Sequence, residues 1–186
     1  MKRMLDLVLA TVAGCLLLIP MLFFALLVRM TSPGPALYWS DRVGRDNRIF
    51  RMPKFRTMRL ETPAVATHIL TDPDKYLTPS GSFLRKTSLD ELPQILSILK
   101  GDMSFVGPRP ALFNQDDLIE MRTSFGIHKL LPGLTGWAQI NGRDELPTAK
   151  KVALDLEYLR KESIWLDIKI IFLTALRVLR KDNVTH

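Results

Sequence analysis

Two adjacent acidic residues, Asp90 and Glu91, stand near the start of a segment with helical character at 89–100. A carboxylate is a competent nucleophile toward phosphorus and forms an acyl phosphate when it attacks. A neighbouring carboxylate can bind a divalent cation, usually Mg²⁺, which neutralises the charge of a diphosphate. The pair therefore has the chemistry for phosphoryl transfer. One acid would attack phosphorus, and its neighbour would bind a metal ion or transfer a proton.

The same two acids also fit a structural role. Ser88-Leu89-Asp90-Glu91 matches a capping box, in which Ser88 caps the helix and Glu91 reaches back to it. Acidic residues are favourable in the first turn of any helix. Arg85 and Lys86 upstream favour the functional alternative, because they could hold a phosphorylated substrate beside a helix N-terminus, itself an anion site.

Further basic residues are candidate ligands for phosphate. Arg109 stands between two prolines that fix its backbone, and arginine makes bidentate contacts to phosphate. Lys54 and Arg56 flank an aromatic residue and could contact a diphosphate. The structural alternatives are an ordinary turn carrying a solvated arginine and a solvated or headgroup-facing basic surface.

A glycine-rich segment at 132–142 mixes glycines with Trp137, Gln139 and Asn141, and Arg143 follows it. Backbone amides, amide side chains and an aromatic plane would suit a nucleotide or a sugar. A structural loop with Trp137 packed into the core explains the segment equally well. The three histidines share no spacing typical of metal ligands, and a single cysteine excludes a multi-cysteine metal site.

The elements that must position these residues are mainly helices. We predict helices at 89–100, 113–125, 148–161 and 164–180, an extended segment at 103–106, and a mobile loop at 61–80. The apolar and aromatic run at 36–39 fits either a strand or an interfacial anchor. The helix at 164–180 has a wide apolar face with basic residues and a tryptophan, which suits either the membrane interface or a core. The fold class expected is mixed α/β and mainly helical, with short strands.

Charge restricts the partners without selecting one. The 186 residues include 26 Lys plus Arg against 19 Asp plus Glu, a net charge of +7. Such a surface suits nucleic acid, acidic phospholipid headgroups or phosphorylated small molecules.

The apolar run at 7–28 is long enough, at roughly 33 Å as a helix, to match the hydrocarbon thickness of a bilayer. A cleaved signal peptide is disfavoured, because the run continues well beyond Cys15. A spanning helix fits the length, but basic residues flank both ends. A re-entrant helix-break-helix bending at Pro20 puts both flanks in the cytosol. We therefore predict a re-entrant anchor at 1–31 and a cytosolic and interfacial catalytic domain at 32–186.

Taken together, the segments resemble the monotopic phosphoglycosyl transferases, the bacterial sugar transferase family, and its minimal PglC-type members. The resemblance covers about residues 2–181. The matching segments, in chain order, are Lys2-Arg3 with Asp6, SPGP at 32–35, RVG at 42–44, KFRTM at 54–58, TSLDELPQ at 87–94, KGDMSFVGPRP at 100–110 and PGLTGWAQINGR at 132–143. One departure is Ile19-Pro20, where many relatives carry a Ser-Pro pair at the bend.

The resemblance implies a two-step reaction. Asp90 would attack the sugar-bearing phosphate of a UDP-sugar, expelling UMP and forming a phosphosugar-aspartyl intermediate. Polyprenyl (undecaprenyl) phosphate would then attack that intermediate. Glu91 would bind Mg²⁺ or assist the lipid phosphate. Lys54, Arg85 and Arg109 would stabilise phosphoryl charge.

The resemblance also implies where the protein works and with which partners. Gln139, Asn141 and Arg143 would contact the nucleotide or sugar. The expected location is the bacterial cytoplasmic (inner) membrane, in contact with lipids of one leaflet, with the active site on the cytosolic face. Downstream glycosyltransferases are expected partners, and nucleic acid is not.

Two other functions compete with this one. A membrane-tethered basic scaffold that binds acidic lipids would explain the charge and the anchor, but it leaves Asp90-Glu91 and Arg109 without a role. A sugar-nucleotide hydrolase would share the phosphate site but would need no lipid acceptor.

Overall fold

The structure is a computed structural model that describes residues 1–63, 72–142 and 146–180. It is mixed α/β and mainly helical, as predicted. The helices and strands, in chain order, are α1 (Lys2–Thr31), β1 (Leu37–Val43), β2 (Ile49–Phe55), α2 (Gly81–Lys86), α3 (Ile95–Lys100), β3 (Ser104–Val106), β4 (Ala111–Leu112), α4 (Asp116–Ser124), β5 (Gly133–Thr135), α5 (Trp137–Ile140), α6 (Thr148–Lys161) and α7 (Ile164–Arg180).

Helix α1 is 30 residues long and continues through Pro20. The break predicted at Pro20 therefore does not end the helix. A proline removes only one backbone hydrogen bond, and the other backbone bonds are enough to keep the helix continuous. Within the described residues, α1 is the one helix long and apolar enough to cross a membrane.

One face of α1 packs on the rest of the protein along the whole helix. Ala10, Ala13 and Leu17 contact a cluster that contains Ile95 and Met103. Further along, Met21, Phe24 and Val28 pack with Phe55 and Leu84. The remaining surface of α1 is apolar and exposed, at Val8, Val12, Leu16, Ile19, Leu22, Phe23 and Leu26 among others.

Two small sheets hold the loops that carry the candidate site. Strands β1 and β2 form an antiparallel hairpin, and the two-residue β4 pairs with the far end of β1. Strands β3 and β5 pair in parallel, with Ser104 opposite Gly133 and Val106 opposite Thr135. The end of β2 carries Lys54, Arg56 follows it, and the segment leaving β3 carries Arg109.

The C-terminal helices close the domain. Helices α4 and α6 share an apolar cluster built on Leu118 and Val152. Helix α7 buries Ile170 against Tyr158, whereas Trp165 and Phe172 are exposed. Helix α7 therefore has a core face, which is one of the two predicted alternatives, and a second apolar face that is exposed.

The sequence-based elements agree with the structure to different degrees. The helices at 148–161 and 164–180 and the strand within 103–106 are confirmed. The helix predicted at 113–125 is shorter, at Asp116–Ser124. Part of the loop predicted at 61–80 lies outside the described residues, and a 3₁₀ turn occupies Pro73–Tyr76. The glycine-rich segment at 132–142 contains β5 and α5.

Candidate active site

The two acids lie on a 3₁₀ turn, Leu89–Gln94, that leads directly into α3. Ser88, just before it, has a left-handed backbone with φ of 55° and makes no side-chain capping bond to the described residues. The predicted capping box is therefore wrong. The Glu91 side chain does not reach back to Ser88, because it is bound by two cations from other parts of the chain.

These cations are Lys54 and Arg109. Lys54 Nζ donates to Glu91 Oε1 at 2.8 Å, and Arg109 NH2 lies 3.4 Å from the same oxygen. Lys54 comes from the end of β2, and Arg109 from the loop between β3 and β4. All three side chains are partly buried, which strengthens their attraction relative to that of an exposed pair.

Asp90 is buried, with 7% of its surface exposed. Its Oδ1 atom is enclosed and has no hydrogen-bond partner in the described part of the chain. Burial raises the pKa of Asp90 from 3.8 to about 6, and the negative charge of Glu91 adds to this. The cations Lys54, Arg85 and Arg109 act in the opposite direction, so three cations surround this carboxyl.

Arg85 completes the basic surroundings. It lies in the last turn of α2, and its Nε donates to the hydroxyl of the buried Thr57 at 2.9 Å. Burial lowers the pKa of the Arg85 guanidinium, and the Asp90 carboxylate acts against that change. The structure therefore brings five of the predicted site residues together, namely Lys54, Arg85, Asp90, Glu91 and Arg109.

Gln139 lies where the glycine-rich segment meets the turn that carries Arg109. A Cβ on Gly136 would stand 2.1 Å from the carbonyl oxygen of Gly107 and 2.6 Å from Gln139 Oε1, so this approach requires glycine. Both polar side-chain atoms of Gln139 are enclosed and unpartnered by any described residue. A buried amide without partners costs free energy, which favours a ligand as its partner.

Arg56 does not belong to this group, although the sequence suggested that it binds substrate. Only 4% of its surface is exposed. Its guanidinium donates to the carbonyl oxygens of Ser32, Pro33 and Pro35 at 2.6–3.0 Å. The prolines and glycine after α1 prevent regular structure, so their carbonyls need a side-chain donor. Arg56 is that donor.

The other predicted contacts in the glycine-rich segment have mixed outcomes. Asn141 is exposed, and its Nδ2 donates to the carbonyl of Trp137 at 2.7 Å, so it helps to end α5. Trp137 is half-buried, packs in a core cluster and donates from Nε1 to Glu157. Arg143 lies outside the described residues.

Sequence reasoning missed Gln94 and Thr57. Gln94 follows Asp90 by four residues and is 3% exposed, and its Nε2 has no acceptor among the residues described. A spacing of four indicates a shared face only in an α-helix, and this segment is a 3₁₀ turn, so the sequence held no signal for Gln94. Thr57 had no signal either, because its role depends on Arg85.

The carboxylates present fit a Mg²⁺ ion that is held partly by the protein and partly by substrate phosphates. No group of three or more His, Cys, Asp or Glu side chains occurs in the described ranges, so an all-protein cage is not formed there. Mg²⁺ is usually held by one or two carboxylates together with substrate phosphates. The adjacent carboxylates of Asp90 and Glu91, with cations nearby for the phosphates, match that pattern.

The site is thus a buried carboxyl with three cations around it, in a chain whose N-terminal helix is long and apolar enough to cross a membrane. The family profile described as bacterial sugar transferase matches residues 1–181. The chain therefore belongs to the bacterial sugar transferase family, as its resemblance implied.

Individual relatives agree with this assignment. The chain is 45% identical to a UDP-glucose:undecaprenyl-phosphate glucose-1-phosphate transferase of Escherichia coli (strain K12), over 95% of this chain and 40% of that protein. The transferase of the same name from Xanthomonas campestris pv. campestris is also 45% identical, over 96% of this chain and 38% of its own length. A sugar transferase of Bacillus subtilis (strain 168) is 39% identical over 99% of this chain and 90% of its own length. The chain thus spans about two fifths of the first two relatives.

Proposed function

We propose that this protein transfers a sugar 1-phosphate from a UDP-sugar to undecaprenyl phosphate, with Asp90 as the nucleophile. The observation that carries the proposal is a single buried carboxyl that faces three cations and leaves one oxygen unpartnered by the described residues. The names of relatives at 45% and 37% identity, which act on UDP-glucose and UDP-N-acetylgalactosamine, support the substrate class.

In the first step, an oxygen of the Asp90 carboxylate attacks the phosphorus that carries the sugar. The bond from that phosphorus to the oxygen bridging the two phosphates breaks, and UMP leaves with the bridging oxygen. The product on the enzyme is an acyl phosphate that still bears the sugar. Desolvation makes the carboxylate a stronger nucleophile, since an elevated pKa reports a more basic oxygen.

In the second step, an oxygen of undecaprenyl phosphate attacks the same phosphorus. The bond between phosphorus and Asp90 breaks, and the carboxylate is regenerated. The product is a lipid diphosphate sugar, which a downstream glycosyltransferase would extend. Each step moves one phosphoryl group between oxygens and needs no external oxidant or reductant.

The cations are arranged to stabilise charge that moves during both steps. Lys54 and Arg109 already contact a carboxylate, so they present donors at hydrogen-bond distance to an anion. Arg85, the third cation that acts on Asp90, is held by its hydrogen bond to Thr57. Preorganised donors of this kind lower the barrier because they need no reorganisation as charge develops.

We assign Glu91 to hold Mg²⁺ together with the substrate phosphates. When bound, Mg²⁺ would neutralise part of the diphosphate charge. We assign Gln139 to the nucleotide or the sugar, because its enclosed amide is without a described partner. Arg143 keeps its predicted role in that contact as a proposal.

We also propose that α1 anchors the protein re-entrantly in the cytoplasmic membrane, with the site on the cytosolic face. Both ends of α1 make polar contacts with the same folded body: Lys2 with Asp167, and Thr31 with Ser80. The exposed apolar surface of α1 between those ends is suited to lipid.

The decisive experiment compares wild type with Asp90→Asn and, as a matched control, Asp41→Asn on the exposed hairpin. Purified protein receives UDP-glucose or UDP-N-acetylgalactosamine, with and without undecaprenyl phosphate, and UMP release and intact mass are recorded. We expect a phosphosugar adduct on wild type and on the control, and at least a 1000-fold loss of UMP release in Asp90→Asn.

Three outcomes would contradict the proposal. Full UMP release by Asp90→Asn would exclude the nucleophile. Release of free sugar phosphate at the same rate without the lipid would indicate a hydrolase. Lipid binding without turnover of any sugar nucleotide in the panel would indicate a scaffold.

A further inference from the structure

The backbone that carries Arg109 is held at three successive carbonyl oxygens. The Pro108 carbonyl accepts from the Gly133 amide at 2.9 Å. The Arg109 carbonyl accepts from Arg122 NH1 at 2.8 Å, and the Pro110 carbonyl accepts from Arg42 NH1 at 3.2 Å. Prolines on both sides already restrict this backbone, so these bonds fix the direction in which Arg109 leaves it.

The bond from Arg122 is made by a side chain that is itself held by a buried acid. Arg122 lies in α4, and Asp155 lies in α6. Arg122 Nε and NH2 both donate to Asp155 Oδ2, at 3.0 and 2.7 Å. The Arg122 side chain is 11% exposed and that of Asp155 is 2% exposed. Two bonds to one buried carboxylate fix the plane of the guanidinium and leave NH1 directed at the Arg109 carbonyl.

Arg122 and Asp155 do not contact the two acids of the site, Asp90 and Glu91. Arg109 links the two regions: its carbonyl meets Arg122, and its guanidinium lies 3.4 Å from Glu91. A small displacement of the Arg109 backbone would therefore move its charge relative to the phosphate that the site receives. Misplacement of a catalytic group by about 1 Å can cost roughly 100-fold in rate.

We propose that Arg122, held by Asp155, is a positioning residue that sets the direction of the Arg109 guanidinium at the phosphate site. This inference rests on the proposed function, in which Arg109 stabilises phosphoryl charge. Arg122 acts through the Arg109 backbone, so its effect on catalysis requires the Arg109 side chain.

A double-mutant cycle tests that requirement. Arg122→Lys keeps a positive charge for Asp155 but lacks the separate NH1 that reaches the carbonyl. Alone, it is expected to lower kcat/KM for UDP-sugar by about 10-fold, and Arg109→Ala by about 100-fold. In the Arg109→Ala background, Arg122→Lys is expected to cost less than about twofold. Asp155→Asn, which removes the negative charge that holds the Arg122 fork, is run in the same cycle as a second variant.

The matched control is Val152→Ala, which opens the same α4–α6 cluster without a polar route to Arg109. A purely structural loss reduces the active fraction equally in both backgrounds, so Val152→Ala is expected to be additive with Arg109→Ala. Melting temperatures are measured for every variant in detergent micelles to confirm folding.

The outcomes separate the inference from the function on which it rests. Additive costs of Arg122→Lys and Asp155→Asn, with a large cost of Arg109→Ala, would overturn the positioning role and leave the proposed reaction intact. Full activity of Arg109→Ala would overturn both the role of Arg109 and the inference.

Discussion

At the scale of single residues, the environment of Asp90 shows how two opposing effects set a pKa. Burial removes water from the charged form of Asp90, and the negative charge of Glu91 repels that charged form, so both raise the pKa. Lys54, Arg85 and Arg109 attract the charged form but do not fully compensate, so the pKa is raised to about 6. A nucleophile in this state is ionised near neutral pH and is still basic.

The raised pKa of Asp90 has a predictable effect on stability. The protonated side chain favours the folded state, so its contribution is complete below the ordinary pKa of 3.8 and is lost as the pH rises through about 6. Asp90→Asn carries no charge at any pH. We therefore expect Asp90→Asn to be more stable than wild type at pH 8, by roughly 2–3 kcal/mol, and equal to it near pH 3.5.

Thermal unfolding of both proteins across pH 3.5–8 in the same detergent measures this difference. Asp41→Asn, at an exposed position, serves as the control and should follow wild type. A constant difference across the whole range, or a lower stability of Asp90→Asn at pH 8, would contradict the desolvation argument.

The site residues differed in how well sequence could identify them. Adjacent acids followed by a helix were visible, and so was an arginine between prolines. Lys54 and Arg56 could not be told apart, because both are basic residues that flank the same aromatic residue. The structure separates them because β2 ends at Phe55, after which the Arg56 amide bonds to Ala36 and its side chain is buried.

At the scale of elements, Arg56 joins the end of β2 to the segment that follows α1. It donates to three backbone carbonyls and to Ser32 Oγ. Removing a buried charged donor leaves these acceptors unsatisfied, and each such bond contributes about 1.5–3 kcal/mol. We expect Arg56→Met to lower the free energy of unfolding by about 3–5 kcal/mol.

Chemical denaturation in micelles measures this change, with Arg51→Met as the matched control. Arg51 is exposed on the same strand and stacks on Trp39, so its loss should cost less than about 1 kcal/mol. Equal costs of the two substitutions would contradict the role of Arg56. A loss of substrate affinity by fully folded Arg56→Met would instead restore the substrate contact suggested by the sequence.

Elements were predictable where one periodicity covered a long segment. Helices α6 and α7 were located correctly because apolar residues recur at helical spacing over 14 and 17 residues. The glycine-rich segment at 132–142 was assigned no helix or strand, because glycine usually marks a turn or loop. Here Gly133 and Gly136 are needed for close approach to Gly107, where an added Cβ would meet backbone at 2.1 Å. Gly107, which follows the neighbouring strand β3, sets that requirement, so the residues at 132–142 alone do not reveal it.

At the scale of the whole molecule, α1 is bound to the folded body at both ends. Lys2 donates to Asp167 at 2.6 Å and to the Tyr158 hydroxyl at 2.7 Å. Burial and the hydrogen bond to Asp167 raise the pKa of Tyr158, so its hydroxyl stays protonated and keeps donating to Asp167. At the other end, the hydroxyls of Thr31 and Ser80 lie 3.0 Å apart.

These contacts predict the orientation of the anchor. A straight helix of 30 residues extends about 45 Å, so a perpendicular spanning helix would place Lys2 and Thr31 on opposite sides of the bilayer. The Lys2–Asp167 pair and the hydrogen bonds from Arg56 to residues 32–35 would then lie on opposite sides as well, and the polar residues between them would have to cross the hydrocarbon region. Because burying such groups in lipid is costly, we expect both ends of α1 on the cytosolic side.

The test uses Cys15→Ser protein with one new cysteine, Met4→Cys or Asp41→Cys, both at exposed positions. A membrane-impermeant maleimide should label both variants in inverted vesicles and neither in intact spheroplasts, whereas wild-type Cys15, which faces lipid in this arrangement, should resist it in both preparations. Labelling of Met4→Cys from the outside and of Asp41→Cys from the inside would show that α1 spans the membrane, and the polar contacts at its two ends could not then coexist in one folded body.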